Sequence, residues 1–286
     1  MLTQGGCVLP PQMSGSAAPG SQQPLAHYAS VAHVARVYDY LLGGKDYFTV
    51  DREAAEQAMR INPDIVSTAR ANRAFLVRAT SYLTREAGIR QFLDVGSGMP
   101  TNNNIHEVAQ SIAPDARIVY VDHDPIVLSH ARALLTSAPE GATDYIEADL
   151  REPDRILAEA AQTLDFSRPV AIMLIAILHL IVDADDPYDL VRELVGAVVP
   201  GSYVVISHVA SDIDTGAMIS MANRLNELME QQSVPRTYQE VAAFFAGLDL
   251  LEPGLVRVPE WRPAAPGDAA VRAQMWGAIG RKPRPD

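Results

Sequence analysis

The spacing of apolar residues changes at Gly88, and this change divides the chain into a helical part and an alternating part. Before Gly88, apolar side chains recur every three or four residues, as is typical of amphipathic helices. We expect one helix that is capped by Asp51 and a second over residues 65–83, separated by Pro63. The segment from Tyr38 to Asp51 contains two adjacent glycines and three tyrosines, and it predicts a loop that packs on the rest of the protein.

After Gly88, short apolar runs alternate with amphipathic stretches long enough for helices. This alternation predicts an α/β fold with a doubly wound, mostly parallel sheet. We expect strands at residues 91–95, 117–121, 143–148, 170–178, 202–208, 255–258 and 274–279. Helix starts are predicted where a capping residue precedes an apolar stripe, at Asn104, Asp124, Asp186 and Thr237. A long helix is expected over residues 215–232.

The composition is that of a folded chain whose first residues differ from the rest in their glycine and proline content. The sequence has 286 residues, of which 48% are apolar and 20% charged, values typical of a globular protein. Residues 1–24 hold four glycines and four prolines without an apolar period, and we expect a disordered tail there. Residues 25–88 then form a helical cap or lid, and residues 89–286 form the ligand-binding domain. The longest apolar run, residues 170–182, is shorter than the ~20 residues that a membrane-spanning helix needs.

The charge and the cysteine count exclude several classes of site and partner. Lys and Arg number 23 against 35 Asp and Glu, so the net charge is −12 and a nucleic acid would be repelled on average. Cys7 is the single cysteine, which excludes an intramolecular disulfide and a cysteine-based zinc site. The seven histidines lack the spacing of a metal site, so we expect no metal. No signal peptide is visible, and we expect a cytoplasmic protein.

Three aspartates follow three successive predicted strands, at the sheet edge where ligands of such folds bind. Asp94 precedes the turn Gly96-Ser97-Gly98, and its carboxylate suits an ammonium group better than a phosphate. Asp122 lies 24 residues after Gly98, in the place of a carboxylate that accepts ribose hydroxyls, with surface charge as the alternative. Asp149 is placed to accept a hydrogen bond from an exocyclic amine. The adjacent His123 has two interpretations, a contact with a purine face or an exposed loop position.

These strand-end motifs resemble those of class I methyltransferases that use S-adenosylmethionine. More narrowly, residues 30–282 resemble a bacterial family described as S-adenosyl methyltransferase, formerly a domain of unknown function. The blocks that carry the likeness lie at residues 35–46, 72–76, 92–101, 104–109, 120–125 and 200–203. The resemblance implies a Rossmann-like sheet of seven strands in the order 3-2-1-4-5-7-6, with the last strand antiparallel, and a cofactor-binding domain over residues 89–286.

The resemblance also implies cofactor roles, with S-adenosyl-L-methionine as the cofactor. The methionine part would be flanked by Asp94 and the Gly96-Ser97-Gly98 turn, the ribose by Asp122, and the adenine by Asp149 and Leu150. Ile175 and Ala176 would lie near the sulfonium. Arg73 would hold the cofactor carboxylate, or it is an ordinary helix arginine. The sequence departs from methyltransferases of amide and ring nitrogens, whose Asp/Asn-Pro-Pro-Tyr/Phe motif is replaced here by residues 175–179, Ile-Ala-Ile-Leu-His.

Methyl transfer to a protonated acceptor needs a base near the departing proton. The candidates are His179, after the fourth strand, and His208, at the end of the fifth; a buried structural histidine is the alternative for each. Tyr38, Tyr40, Asp46 and Tyr47 are predicted to line the acceptor pocket, with residues 26–50 as a lid, or the tyrosines simply pack on the domain. Residues 219–229 have an apolar face that fits core, a pocket cap or a dimer surface.

The function predicted from the sequence is methyl transfer from S-adenosylmethionine to a small molecule. Two alternatives stay open. In one, the fold binds the cofactor without transferring its methyl group. In the other, the chain is an NAD-type oxidoreductase, which the absence of a third glycine at Thr101 disfavours. The sequence indicates no oligomeric state, and its acidic charge disfavours a nucleic-acid substrate.

Overall fold

A mixed β-sheet, with parallel and antiparallel strands, forms the centre of the molecule in the computed structural model, which describes residues 30–134 and 136–284. The tail expected over residues 1–24 lies outside the described residues. The strands are β1 (Gln91–Val95), β2 (Arg117–Asp122), β3 (Ala142–Glu147), β4 (Ala171–Ile175), β5 (Tyr203–Val209), β6 (Asp249–Leu250), β7 (Val256–Arg257) and β8 (Met275–Arg281). Their order is β3-β2-β1-β4-β5-β8-β6. Strands β1 to β5 pair in parallel and β8 is antiparallel to β5, which confirms the predicted doubly wound, Rossmann-like fold.

The sheet has eight strands rather than seven because its last edge strand is divided. Strand β6 pairs with the end of β8, where Leu250 lies opposite Gly280. Strand β7 pairs with the same side of β8, where Val256 lies opposite Gly277. The edge chain therefore carries three more residues than β8 between the two paired segments, and this insertion interrupts the hydrogen-bonding ladder as a large bulge would. Counted as one divided strand, β6 and β7 restore the expected order.

Helices cover both faces of the sheet. They are α1 (Val34–Leu42), α2 (Thr49–Ile61), α3 (Ile65–Arg85), α4 (Ile105–Ile112), α5 (Pro125–Leu134), α6 (Pro153–Ala160), α7 (Pro187–Ala197), α8 (Thr215–Leu228) and α9 (Tyr238–Ala243). The predicted starts after Asn104, Asp124, Asp186 and Thr237 are confirmed. In α9, for example, the Glu240 carboxylate accepts the Thr237 N–H at 2.7 Å.

Two expectations for the N-terminal part were wrong. The loop expected from Tyr38 to Asp51 begins only at Gly43, because the preceding residues continue α1 as one amphipathic helix. Asp51 does not precede its helix; it lies in the first turn of α2, where its carboxylate accepts the Phe48 N–H at 2.7 Å. In the second half of the chain, helix α8 ends at Leu228, earlier than the predicted residue 232.

Alternating strand residues build an apolar core on each face of the sheet. Leu93 and Val119 belong to one core, whereas Phe92 and Ile118 belong to the other, which also holds the fully buried Trp261. A third apolar cluster joins α1, α2 and α3 to α8 above the carboxyl ends of the strands. None of the helices within the described ranges combines the length and apolarity needed to cross a bilayer.

Candidate active site

A cavity of about 190 Å³ lies where the carboxyl ends of β1, β2 and β4 meet the N-terminal helices and α8. Each of three helices gives it one face, because the lining residues recur at helical spacing. These residues are Val34, Ala35, Val37, Tyr38 and Leu41 on α1; Ile65, Thr68, Ala69, Asn72, Arg73 and Leu76 on α3; and Met218, Met221, Ala222 and Leu225 on α8. The cavity is therefore bounded by the sheet edge on one side and by helices on the other.

The turn after β1 brings its backbone close to the cavity because both glycines adopt left-handed conformations. Gly96 has a φ of +79°, and a Cβ there would meet the Ile177 side chain at 2.5 Å. Gly98 has a φ of +65°, and a Cβ there would meet nothing within 4 Å. Its N–H donates to Oδ2 of Asp122 at 2.9 Å, which joins the first strand-end turn to the second. Gly96, Ser97 and Gly98 all line the cavity.

Asp94 and Arg73 place opposite charges in the same cavity wall. Burial raises the pKa of Asp94 to about 7, while Arg73 acts in the opposite direction. The Arg73 guanidinium is held by the Asn102 carbonyl and the Asn104 side chain, each at 3.0 Å from Nη2. An acidic and a basic side chain side by side suit the ammonium and carboxylate groups of an amino acid.

Asp122 ends β2 beside the cavity, with its carboxylate held by backbone donors. It accepts the Asp124 N–H at 3.0 Å in addition to that of Gly98. Burial raises the pKa of Asp122, and these two hydrogen bonds oppose that effect. His123 also lines the cavity and lies 2.8 Å from the Gln231 amide nitrogen, through its Nε2. Asp124 caps α5 by accepting the Ile126 N–H at 2.8 Å.

Asp149 and Leu150 do not line this cavity. Leu150 is buried in the sheet core. The Asp149 carboxylate instead pairs with Arg151 at 3.0 Å, and Arg151 in turn contacts Asp185. The structure thus places Asp94 and Asp122 in one cavity, whereas Asp149 belongs to an ion-pair network outside its lining. The adenine role of Asp149 stays a prediction.

Strand β4 ends at Ile175, three residues earlier than predicted, because Ala176 turns the chain into a left-handed conformation with a φ of +52°. The Ala176 N–H remains bonded to β5, at 3.0 Å from Oγ of Ser207. Both Ile175 and Ala176 line the cavity. A non-glycine residue held in this conformation costs free energy, and such residues cluster at functional sites.

The two candidate bases differ in their contacts. His179 lies in a short 3₁₀ turn and lines the cavity, and its Nδ1 has no hydrogen-bond partner among the described residues. Burial and the nearby Arg236 lower the pKa of His179 to about 4. His208 lies outside the cavity lining, with Nδ1 at 2.8 Å from the Val209 carbonyl and Nε2 at 3.0 Å from Arg236. Of these two histidines, His179 is the one with a ring nitrogen available to a ligand.

Of the four residues predicted for the acceptor pocket, Tyr38 alone lines the cavity. Its hydroxyl donates to the Ala69 carbonyl at 3.1 Å and accepts from the Asn72 amide at 2.9 Å. The rings of Tyr40 and Tyr47 pack against each other, edge to face, 4.9 Å apart. Asp46 lies 3.9 Å from His130 on α5. Tyr40 lies on α1 but is not among its residues that line the cavity, and Asp46 and Tyr47 lie in the segment between α1 and α2.

Sequence reasoning missed several cavity residues on α8 and near the start of β8. They are Met218, Met221, Ala222, Leu225, Met229, Gln274 and Met275. The regular spacing of the α8 residues was the available signal, but the same pattern serves a core, a dimer surface or a pocket cap equally well. The lining of the cavity by α8 matches the interpretation of this helix as a pocket cap.

Four buried polar atoms without a hydrogen-bond partner among the described residues belong to cavity residues. They are Oδ1 of Asn72, Oγ of Ser97, Oγ1 of Thr101 and Nδ1 of His179. Buried polar groups are nearly always paired, so their concentration here indicates a ligand that supplies the missing partners. In the part of the chain that the structure describes, no group of His, Cys, Asp and Glu side chains is arranged to hold a metal ion.

The chain is similar to proteins of one family and to two solved structures of high coverage. A family model described as S-adenosyl methyltransferase matches residues 21–283. A DUF574 family protein from Streptomyces avermitilis is 44% identical, with a TM-score of 0.86 over 89% of this chain and 99% of that one. A candidate methyltransferase from Thermobifida fusca is 41% identical, with a TM-score of 0.83 over 93% and 100%. No curated protein matches the chain.

Proposed function

Because the chain belongs to the S-adenosyl methyltransferase family, with S-adenosyl-L-methionine as the cofactor, we propose that it transfers the cofactor's methyl group to a small-molecule acceptor in the cavity described above. The observation that carries this proposal is the meeting of Arg73, Asp94, Asp122 and His179 in one cavity, from four separate elements. Neither a cofactor-binding module without transfer nor an NAD-type oxidoreductase has a specific observation in its favour.

The cavity residues fit the proposed cofactor. Asp94 would bind the ammonium group and Arg73 the carboxylate of the methionine part, with Ser97 and Thr101 offering hydroxyls that lack partners in the described structure. Because Gly98 has no side chain, the space beside its backbone stays open for the cofactor.

The remaining cofactor contacts follow from the strand ends. Asp122 would accept the ribose hydroxyls, with Ile175 and Ala176 beside the sulfur. Asp149 and Leu150 would adjoin the adenine, which requires Asp149 to share its carboxylate between the ligand and Arg151.

When bound, the cofactor supplies a methyl group on a positively charged sulfur. The protein's part is to hold the acceptor in line, exclude water and take up its proton. We assign proton acceptance to His179, which burial keeps uncharged at neutral pH. A pKa of about 4 is sufficient for this base, because a hydroxyl becomes strongly acidic as its oxygen gains a methyl group. The apolar helix faces above the cavity would shield the reaction from solvent.

The first test is binding of the demethylated cofactor, S-adenosylhomocysteine, measured by isothermal titration calorimetry. Substituting Asp122→Asn should weaken binding roughly 10- to 100-fold, since a hydrogen bond to a charged group contributes about 1.5–3 kcal/mol. Asp154→Asn, on the exposed side of α6, is the matched control and should leave affinity unchanged. Absence of binding to folded wild-type protein would refute the proposal, and transfer from labelled cofactor, lost in His179→Ala, would support it.

A further inference from the structure

The part of the cavity beneath α8 differs in character from the part at the strand ends. Its wall is formed by flexible thioethers and aliphatic side chains from four elements. They are Met218, Met221, Leu225 and Met229 from α8 and its end, Leu41 from α1, Leu180 from the turn after β4, and Met275 from β8. These seven residues, which we call the methionine wall, are the surface that an acceptor would contact opposite the cofactor.

The methionine wall has no charged side chain to offer a ligand. The charged residues of the cavity, Arg73, Asp94 and Asp122, belong to α3, β1 and β2 and not to the methionine wall. The other ionisable groups among the described lining residues are His33, His123, His179 and the Tyr38 phenol. Burial keeps His33 and His179 uncharged at neutral pH and raises the pKa of the phenol. The ring nitrogens of His123 face other protein groups, Asp122 at 3.7 Å and the Gln231 amide at 2.8 Å. A charged acceptor would lose its hydration here without gaining a counter-charge, which is costly.

Two features of the site suit a ring that carries a hydroxyl group. Methionine side chains adapt to irregular apolar ligands and make favourable sulfur–aromatic contacts. His179 offers one nitrogen, Nδ1, that lacks a partner among the described residues. An amine becomes an ammonium as its methyl bond forms, and a base with a pKa of about 4 does not remove the proton of that ammonium. A hydroxyl becomes a strongly acidic oxonium, which gives its proton to His179 and leaves a neutral ether.

We propose that the acceptor is an uncharged, largely apolar phenol whose ring lies against the methionine wall and whose hydroxyl faces His179. The acceptor oxygen forms a bond to the methyl carbon as the carbon–sulfur bond breaks. The bonding pair remains on sulfur, and the hydroxyl proton passes to the His179 ring. This inference rests on the proposed function, because it names the substrate class of the same cavity.

The test compares three probes of the same shape that differ in charge. We would titrate 2-naphthol, 2-naphthoate and 2-naphthylmethylammonium into the full chain saturated with S-adenosylhomocysteine. We expect 2-naphthol to bind at least tenfold more tightly than either ion and to yield 2-methoxynaphthalene with the methylated cofactor. Equal or tighter binding of an ion, or no binding of any probe, would overturn the inference. Titration of S-adenosylhomocysteine alone tests the proposed function separately, because it involves no acceptor.

A pair of variants tests the methionine wall itself. Met221→Lys places a cation in the wall, so it should weaken 2-naphthol binding at least tenfold and strengthen 2-naphthoate binding. Met221→Leu keeps the volume and apolarity and should change both affinities less than threefold. S-adenosylhomocysteine affinity should be unchanged in both variants. Unchanged probe selectivity in a folded Met221→Lys protein would contradict the assignment; if that protein does not fold, Met229→Lys, at the end of α8, makes the same test.

Discussion

The guanidinium of Arg236 organises the turn that carries His179. It donates to the carbonyls of Leu178 and Ile181, each at 2.9 Å, and contacts Asp183 at 2.6 Å. It also donates to Nε2 of His208 at 3.0 Å, and burial, His179 and Arg236 together lower the pKa of His208 well below its usual value. Arg236 is thus a positioning residue, and the structure gives His208 a structural contact on each ring nitrogen.

Replacing Arg236 with Met should destabilise the protein by about 3–5 kcal/mol, because it leaves buried carbonyl oxygens without donors. Urea unfolding measures this loss. Arg192→Met is the matched control, since Arg192 is exposed and pairs with Asp189, one turn away on the same helix; its effect should stay below about 1 kcal/mol. Equal effects of the two substitutions would contradict the role given to Arg236.

The raised pKa of Asp94 predicts how cofactor affinity depends on pH. Burial raises this pKa to about 7, so the free protein holds a proton on Asp94 below pH 7. An ammonium group prefers the carboxylate, so binding releases that proton, and affinity for S-adenosylhomocysteine should rise with pH up to about 7 and then level. Calorimetry between pH 5.5 and 8.5 measures this. Asp94→Asn should bind more weakly and without the pH dependence; a pH dependence that persists in this variant would assign it to another group.

At the scale of elements, α1 and α2 are joined to the sheet through a buried ionic contact. Arg36 on α1 donates to Asp51 on α2 at 2.8 Å and lies 3.8 Å from Asp124, the cap of α5. His33 approaches the same Asp124 carboxylate at 3.3 Å. Since Asp122 and Asp124 belong to one turn, docking of the N-terminal helices and the shape of the cofactor site depend on the same backbone.

Replacing Arg36 with Met should release α1 from this contact. We expect faster amide hydrogen exchange over Val34–Leu42, together with weaker cofactor affinity, while exchange in β1 and β4 stays slow, because local opening affects the least stable units first. The control is Arg52→Met, which removes an exposed pair with Glu56 on α2. Unchanged exchange in α1 would mean that apolar packing alone holds the helix.

Elements defined by local patterns could be predicted from the sequence, whereas features that depend on distant partners could not. The strands after Gly88 and the capped helices follow from apolar period and capping residues, which act over a few positions. The division of the edge strand into β6 and β7 depends on pairing with β8, some twenty to thirty residues away along the chain. For the same reason the positions of Asp94 and Asp122 at strand ends follow from the sequence, whereas the methionine wall, which four separate elements build, does not.

At the scale of the whole molecule, buried histidines predict the pH dependence of stability. Burial lowers the pKa of four of the histidines. The pKa falls to about 4 in His33 and His179 and well below 6.5 in His208, and it is also lowered in His106. The unfolded chain therefore binds more of these protons than the folded protein between pH 6.5 and 4. Their stabilising contribution is complete above pH 6.5 and is lost as the pH falls through this window. Asp94, Asp122 and Asp39 act in the opposite direction, because burial raises their pKa values.

The histidines should outweigh these acids between pH 7 and pH 5, because the unfolded-state pKa of all four histidines, about 6.5, lies inside this range. Asp94, whose raised pKa is about 7, is the acid that opposes them there. We expect the free energy of unfolding, measured in urea at intervals from pH 7 to pH 5, to fall as the pH is lowered. The fall should be steeper in Asp94→Asn, which lacks the opposing proton uptake of that carboxyl group. Above pH 7 the same variant should be more stable than wild type, by as much as about 4 kcal/mol, because each pKa unit corresponds to about 1.4 kcal/mol. A free energy of unfolding that is independent of pH in Asp94→Asn would contradict the expectation that the histidines dominate the pH dependence of stability.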